Sequence, residues 1–517
     1  MARTYLAENP ILKTQGGNNM AKDNFEIEPE VDEVTSLDFR LGSFGSALPM
    51  MFFIIWAVIA SMTEVVTTNG LSLGAVLGLI LGMVLCKQDG HTYAQGVIEG
   101  FTQTIGAVAI VAWFFAGMFS EVLQAGGLVE GLIWIAAQVG AEGAIFTTIT
   151  FILAAIFASA VGTGYGTAVA FGTLMYPAGI AVGAHPLILG GAILSGAAFG
   201  DKLAPISDTT IVSAATQETD VPGVVRYRFK YVIIAAIPVV FLYLLLGGAP
   251  EAAAVGEGVE IVADYADPSG LWLLIPFAVV LFVAFSGYHL IVSLTWGIAV
   301  GFILNLLLGL APLSDMIYFD FQEMTMSGAL IDGIAGYVEY AILIMLIVAM
   351  GHLIQLGGAM RDVMNFARSK IKGLLWRVEF SYWAVVSLMN TVITINTAAE
   401  VAAAPFVREM GETYGLHPYR RAAFLDGPTS SLGYVFPWSG GLLLLVTTIE
   451  AQALEYEFVE AVTPTQLTPY VFFGFALLLV LLIAGLTGWD RKFEGPEGPM
   501  GTPVDEPYKG LMVEDQK

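Results

Sequence analysis

Residues 470–489 contain no charged side chain, and they are one of several such runs in the chain. A stretch of about 20 apolar residues is the length a helix needs to cross a bilayer. Only 13% of the 517 residues are charged, against roughly 25% in a soluble domain. That is too little polarity to cover a water-soluble globule of this size. The expected fold is an all-α polytopic membrane protein, because a helix in lipid satisfies its own backbone. Soluble enzymes, nucleic-acid binders and coiled coils are excluded. The 58 glycines argue against a bundle of smooth spans, since Gly weakens a helix unless close packing or an opened backbone needs it.

The formal charge of -24 disfavours binding to a phosphate backbone, which needs basic patches. Most of the acid lies outside the apolar runs. Residues 1–40 read as a disordered acidic tail, 41–489 as the transmembrane domain and 490–517 as a second acidic tail. An acidic excess in the loops as well suggests a host adapted to high salt. The single Cys86 rules out an intramolecular disulfide. No cleavable signal is expected, because the first 40 residues are polar.

About 11–13 spans are expected, four of them interrupted, within 143–183, 185–215, 378–410 and 420–449. Basic residues cluster at Arg226, Arg228 and Lys230, again from Arg361 to Arg377, and at Arg491 and Lys492. The segments 249–268, 311–335 and 450–468 hold carboxylates and no Lys or Arg. The positive-inside rule places the basic loops and both termini in the cytoplasm. The chain then runs outward-to-inward from 142 to 226 and inward-to-outward from 377 to 450. Paired broken segments of opposite sense are the signature of an inverted-repeat secondary transporter, whose site lies where the breaks meet. A weak echo agrees: Ala198-Phe199-Gly200-Asp201 with Pro205-Ile206-Ser207 resembles Ala423-Phe424-Leu425-Asp426 with Pro437-Trp438-Ser439, at different spacing.

The first break, Gly162-Thr163-Gly164-Tyr165-Gly166-Thr167, interrupts an uncharged stretch. A phosphate cradle would need a strand and usually a Lys, and neither is present. Close helix packing through small residues is one reading. The other is an unwound turn whose carbonyls and hydroxyls, with Thr163, Tyr165 and Thr167, face a cavity. The second break is the strongest feature: Asp201, Lys202, Pro205, Ser207, Asp208, Thr209 and Thr210 mix carboxylates and hydroxyls around a proline. Carboxylate, hydroxyl and carbonyl oxygens suit a hard cation that has shed water, so Asp201 and Asp208 are candidate sodium ligands. Charge at this depth marks an ion pathway or proton relay; the plain alternative is a cytoplasmic loop, since Lys202 is adjacent. In the second half, Asn396, Glu400, Asp426 and Ser439 sit in polar clusters that are costly inside apolar flanks unless hydrogen-bonded. Glu121, Glu64, Glu99 and Glu339 read as structural or interfacial, and the five histidines lack ligand-pair spacing.

The run 162–167 and the motif from Gly200 to Thr210 resemble the NhaC sodium/proton antiporter family. Arg421 to Asp426 and Phe436-Pro437-Trp438-Ser439 resemble its second half more loosely. The resemblance covers roughly residues 45–488. Ala204, Tyr165 and Ser439 depart from the usual Ser, Trp and Asn of that family. The resemblance implies a multi-pass cell-membrane transporter with no cofactor, exchanging sodium for protons. The family also includes exchangers of amino acids and organic acids, so arginine/ornithine exchange is the alternative. The carboxylates Asp201, Asp208, Glu400 and Asp426 would serve either, holding sodium or pairing with a guanidinium. A channel would more naturally assemble from identical pore loops, and no catalytic arrangement supports an enzyme. The partners expected are membrane lipid and the transported small solutes; the Gly-rich faces are compatible with a homodimer or with internal packing alone.

Overall fold

The computed structural model describes residues 34–63, 67–141, 143–205, 207–248, 265–321, 324–370, 374–394, 396–498 and 501–506. The architecture is all-α apart from one antiparallel hairpin, Tyr318–Asp320 with Thr325–Ser327. Among the described residues, four helices are each long and apolar enough to cross a membrane: Thr68–Leu85, Ala144–Val161, Val221–Leu246 and Leu290–Leu308. Four further bent pairs reach that length together, which raises the number to as many as eight if each pair is one span. The protein is a polytopic membrane protein, and its outward surface agrees. Leu245, Phe282 and Leu307 are about three-quarters exposed, as expected of side chains that meet lipid tails. Helices deeper in the bundle, such as Pro418–Leu432, carry too many polar groups to look like spans by composition. Their polar faces are turned toward protein.

The chain is built twice. Helix Ala144–Val161 ends at Gly162, in the left-handed region at φ 78°. Helix Leu375–Ile393 ends at Thr394, left-handed at φ 65°. Gly164–Ala181 follows the first break and Asn396–Thr413 the second. Gly183 and Gly415 then turn the chain with positive φ, and Pro186 and Pro418 each open the next helix after a His. Asp208 and Gly440 begin the last helices, behind the N-cap serines Ser207 and Ser439. Every one of these pairs is separated by the same number of residues. Upstream, Trp113–Ala125 with Leu128–Val139 bends by 65°, and Ala341–Leu356 with Ala359–Phe366 bends by 59°. The chain is therefore interrupted at 162–163, 204–207, 394–395 and 433–439, one break in each of the four interrupted spans.

This register corrects the sequence echo. Pro205 and Ser207 do correspond to Pro437 and Ser439, but Asp201 falls opposite Gly433, and Asp426 opposite Leu194. The two aspartates are about two helical turns out of step. None of the candidate carboxylates has an acidic counterpart in the other repeat: Asp208 corresponds to Gly440 and Glu400 to Ala168.

Glycine permits one of the close crossings in the bundle. Helices Ala144–Val161 and Pro186–Leu203 approach so closely that a Cβ on Gly196 would sit 2.6 Å from the Phe151 carbonyl, and one on Gly200 would reach 2.5 Å from the Ser159 nitrogen. Such small-residue contacts bring two backbones together where the hydrophobic effect cannot drive helices to associate. At this crossing the glycines serve internal packing. The C-terminal side is tied down as well: Phe493 pairs with Leu416 and with Val504, and fully buried Glu379 holds both Arg420 (2.7 Å) and Arg491 (2.6 Å).

Candidate functional site

The breaks of the two repeats meet. Tyr434, in the 433–439 break, donates its hydroxyl to Asp201 Oδ2 at 3.2 Å, and a Cβ on Gly164 would collide with the same hydroxyl. Tyr165 and Tyr434 stand edge to face with centroids 5.4 Å apart. Across the seam, Thr397 donates to Asp208 Oδ2 at 2.8 Å. Its repeat counterpart is the contact of Tyr165 with Gly440, where an added Cβ would lie 3.0 Å from the phenol oxygen. A contact between i and j that recurs with the roles of the two copies exchanged is the mark of two-fold relatedness. The scaffold at the seam is symmetric and its chemistry is not.

Ser207 starts the helix Asp208–Thr216 as N-cap, its side chain making no capping bond. Instead its hydroxyl donates to Asp201 Oδ1 at 2.7 Å and lies 3.0 Å from Thr209 Oγ1. Asp201 is 4% exposed and its carboxylate is held by the neutral hydroxyls of Ser207 and Tyr434. Among the described residues no Lys or Arg nitrogen pairs with it. Glu400 is completely buried, accepts from Thr429 at 2.8 Å through Oε1, and its Oε2 has no hydrogen-bond partner. Asp208, by contrast, is exposed.

Asp426 is in a different state. Lys202 Nζ lies 2.6 Å from Oδ1, Arg228 pairs with Oδ2, and Ser430 donates to Oδ1 at 2.7 Å. Both cations are buried, so Lys202 is not part of an exposed loop, and Arg228 is not part of a surface basic cluster with Arg226 and Lys230. Arg228 also donates to Thr210. Asp426 is committed to internal cations, whereas Asp201 and Glu400 are not. Among the described residues no three His, Cys, Asp or Glu side chains converge. A cation here would take one or two carboxylates with hydroxyl and carbonyl oxygens, a donor set of the hard-cation type.

The remaining candidates shape the breaks. Thr163 caps the helix Gly164–Ala181 and its carbonyl accepts from Thr167 at 2.8 Å. Ser439 donates to the Phe436 carbonyl at 2.7 Å. Asn396 packs against Gly433, and its buried Oδ1 has no partner. Glu121 lies apart from the seam, in a cavity with Asp332. Glu99 accepts from the Val34 backbone, and Glu64 lies outside the described residues. Arg228 and Tyr434 escaped the sequence reading. Arg228 looked like one of three loop cations, and Tyr434 corresponds to Lys202 only in a register that the unequal aspartate spacing hides.

Comparison with known proteins points one way. Residues 19–248 match the Na+/H+ antiporter family. An arginine/ornithine antiporter of Halobacterium salinarum is 23% identical over 503 residues, 91% of this chain and 97% of that protein. A malate-2H+/Na+-lactate antiporter of Bacillus subtilis is 30% identical over 209 residues, 39% of this chain and 44% of that one. The Na+/H+ antiporter NhaC of Alkalihalophilus pseudofirmus is 26% identical over 212 residues, 40% of this chain and 43% of that one. The chain spans under half the length of the last two. Built from two repeats whose broken helices meet at buried carboxylates, the chain is similar to antiporters, over most of its length in one relative and over its first half in the family match.

Proposed function

We propose that the protein exchanges sodium for protons by alternating access, with Asp201 as the group for which the two cations compete. The observation that carries this reading is the state of that carboxylate. It is buried at the seam of two repeats and its partners are neutral hydroxyls. A carboxylate withdrawn from water needs a proton or a cation. Lys202 and Arg228 are already engaged by Asp426, so the counter-ion of Asp201 has to come from solution and can leave again. Rocking of one repeat against the other around a fixed site would open it to alternate sides.

A second reading rests on a specific observation. A relative matched over 97% of its own length is an arginine/ornithine antiporter, and Tyr165 and Tyr434 place two aromatic rings beside Asp201. A guanidinium ion-pairs with a carboxylate and stacks on such rings. Proteoliposomes separate the two readings. An inward sodium gradient is expected to drive proton movement with no organic solute present, and protons are expected to raise the apparent KM for sodium. No sodium-dependent proton flux, in liposomes that exchange labelled arginine for ornithine, overturns the first reading in favour of the second.

The proposed orientation puts both termini and Lys370 in the cytoplasm and Glu257, which lies outside the described residues, on the exterior. Single cysteines at 370 and 257 in a Cys86→Ser background test it on intact cells. Cys86 is the one native thiol and is buried. An impermeant maleimide is expected to label position 257; labelling at 370 from outside reverses the topology.

A further inference from the structure

A cavity of about 250 Å³ lies away from the Asp201 seam. Its walls include Thr173 on Gly164–Ala181 and Thr448 and Gln452 on Gly440–Glu455, the two helices that begin at the breaks. At 1.5 Å per residue, Thr173 stands about 13 Å and Gln452 about 18 Å from those starts. Glu121 and Asp332 complete the lining.

The lining carries two carboxylates and a buried amide oxygen. Among the described residues neither Glu121 nor Asp332 pairs with a Lys or Arg. Thr448 donates to the Leu444 carbonyl, and the Tyr337 hydroxyl lies 3.5 Å from its oxygen. Gln452 is only 3% exposed, yet its Oε1 has no hydrogen-bond partner. The buried amide oxygen of Gln452 is costly without a partner, and half-buried Glu121 and exposed Asp332 supply negative charge beside it. The volume admits a partly hydrated alkali ion or one guanidinium group.

We propose that this cavity is a second cation site, lined by Glu121, Asp332 and Gln452, where the transported monovalent cation is held on its way to the seam. The inference rests on the antiporter reading for the identity of the path, but the binding itself does not. The helix Gly440–Glu455 runs from the seam toward the carboxylate-rich 450–468 segment, so the site serves the face carrying that loop. A cation recruited there is concentrated beside the route without being committed to exchange.

Reconstituted full-length protein tests the proposal in two arms. In transport, Glu121→Gln is expected to raise the apparent KM about tenfold for cation entering from the 450–468 side. Its effect on kcat should be within about twofold, because only ground-state capture is lost. In equilibrium binding, Asp201→Asn protein is expected to retain one site for sodium alone, or for guanidinium alone if arginine is the substrate. The Asp201→Asn/Glu121→Gln double variant should lose it. Gln452→Leu repeats the binding test without altering a carboxylate. Unchanged KM for Glu121→Gln, or equal cation binding in the single and double variants, overturns the second site. Failure of sodium–proton exchange in the wild type overturns the proposed function and leaves the binding arm to decide this one.

Discussion

Asp201→Asn is expected to abolish exchange, lowering sodium-dependent proton flux by at least about 100-fold while the protein still inserts and elutes as the wild type does. The amide keeps the shape of the carboxylate; its oxygen can still accept from one of the hydroxyls of Ser207 and Tyr434, which lie 2.7 and 3.2 Å from the two carboxylate oxygens, and its NH2 can donate to the other. It loses the negative charge that a proton or sodium must neutralise. Asp208→Asn is the informative contrast. Asp208 is exposed and its hydrogen bond is to Thr397, so water screens the lost charge and the amide oxygen preserves the contact. Its loss is expected to be about tenfold, by weaker local attraction. Asp201→Glu restores charge at an altered reach and should recover part of the flux. Near-normal turnover in Asp201→Asn would remove this residue from the transport site and leave Glu400 as the exchangeable carboxylate.

Asp426→Leu is expected to show the largest stability loss, about 3–5 kcal/mol, measured as a lowered midpoint of unfolding in detergent. The change strands Lys202 and Arg228, both buried, with their shared carboxylate gone. Uncompensated charge in a low-dielectric interior is what makes breaking such a pair costly. Adding Lys202→Met and Arg228→Met to Asp426→Leu should recover much of the stability, since an apolar replacement of a whole buried network is often neutral. An unchanged midpoint in the single variant would mean that water reaches these cations. The result would also distinguish the two kinds of carboxylate here, one paired with internal cations and one held by neutral hydroxyls.

The membrane class, the places where the helices break and the residues that collect there were legible because they are local. An uncharged run of bilayer length declares itself, and Gly162, Pro205 and Pro437 interrupt helices for reasons that lie in their own backbones. The resemblance to antiporters was legible for a similar reason, since the Gly200-to-Thr210 motif is contiguous. The partner of each charge was not. Lys202 beside Asp201 in sequence pairs instead with Asp426, more than two hundred residues away, because successive helical residues point in different directions. Glu121 looked structural in a linear reading, and only the fold places it with Asp332 and Gln452 around one cavity.

The repeat marks the same boundary. Its register is carried by backbone devices, the left-handed residues Gly162 and Thr394 and the turns at Gly183 and Gly415, which tolerate almost any chemistry between them. Side-chain matching therefore paired Asp201 with Asp426, and the helices themselves pair Asp201 with Gly433. What the sequence determined alone is a chain of broken membrane helices carrying oxygen-bearing side chains at the breaks, since helix length, helix interruption and side-chain type are all properties of neighbouring residues. Which carboxylate is neutralised from within and which is left without an internal cation was decided by tertiary structure only. That difference arises from the Coulomb energy of groups brought together from distant helices, and it exists only after the two repeats have packed.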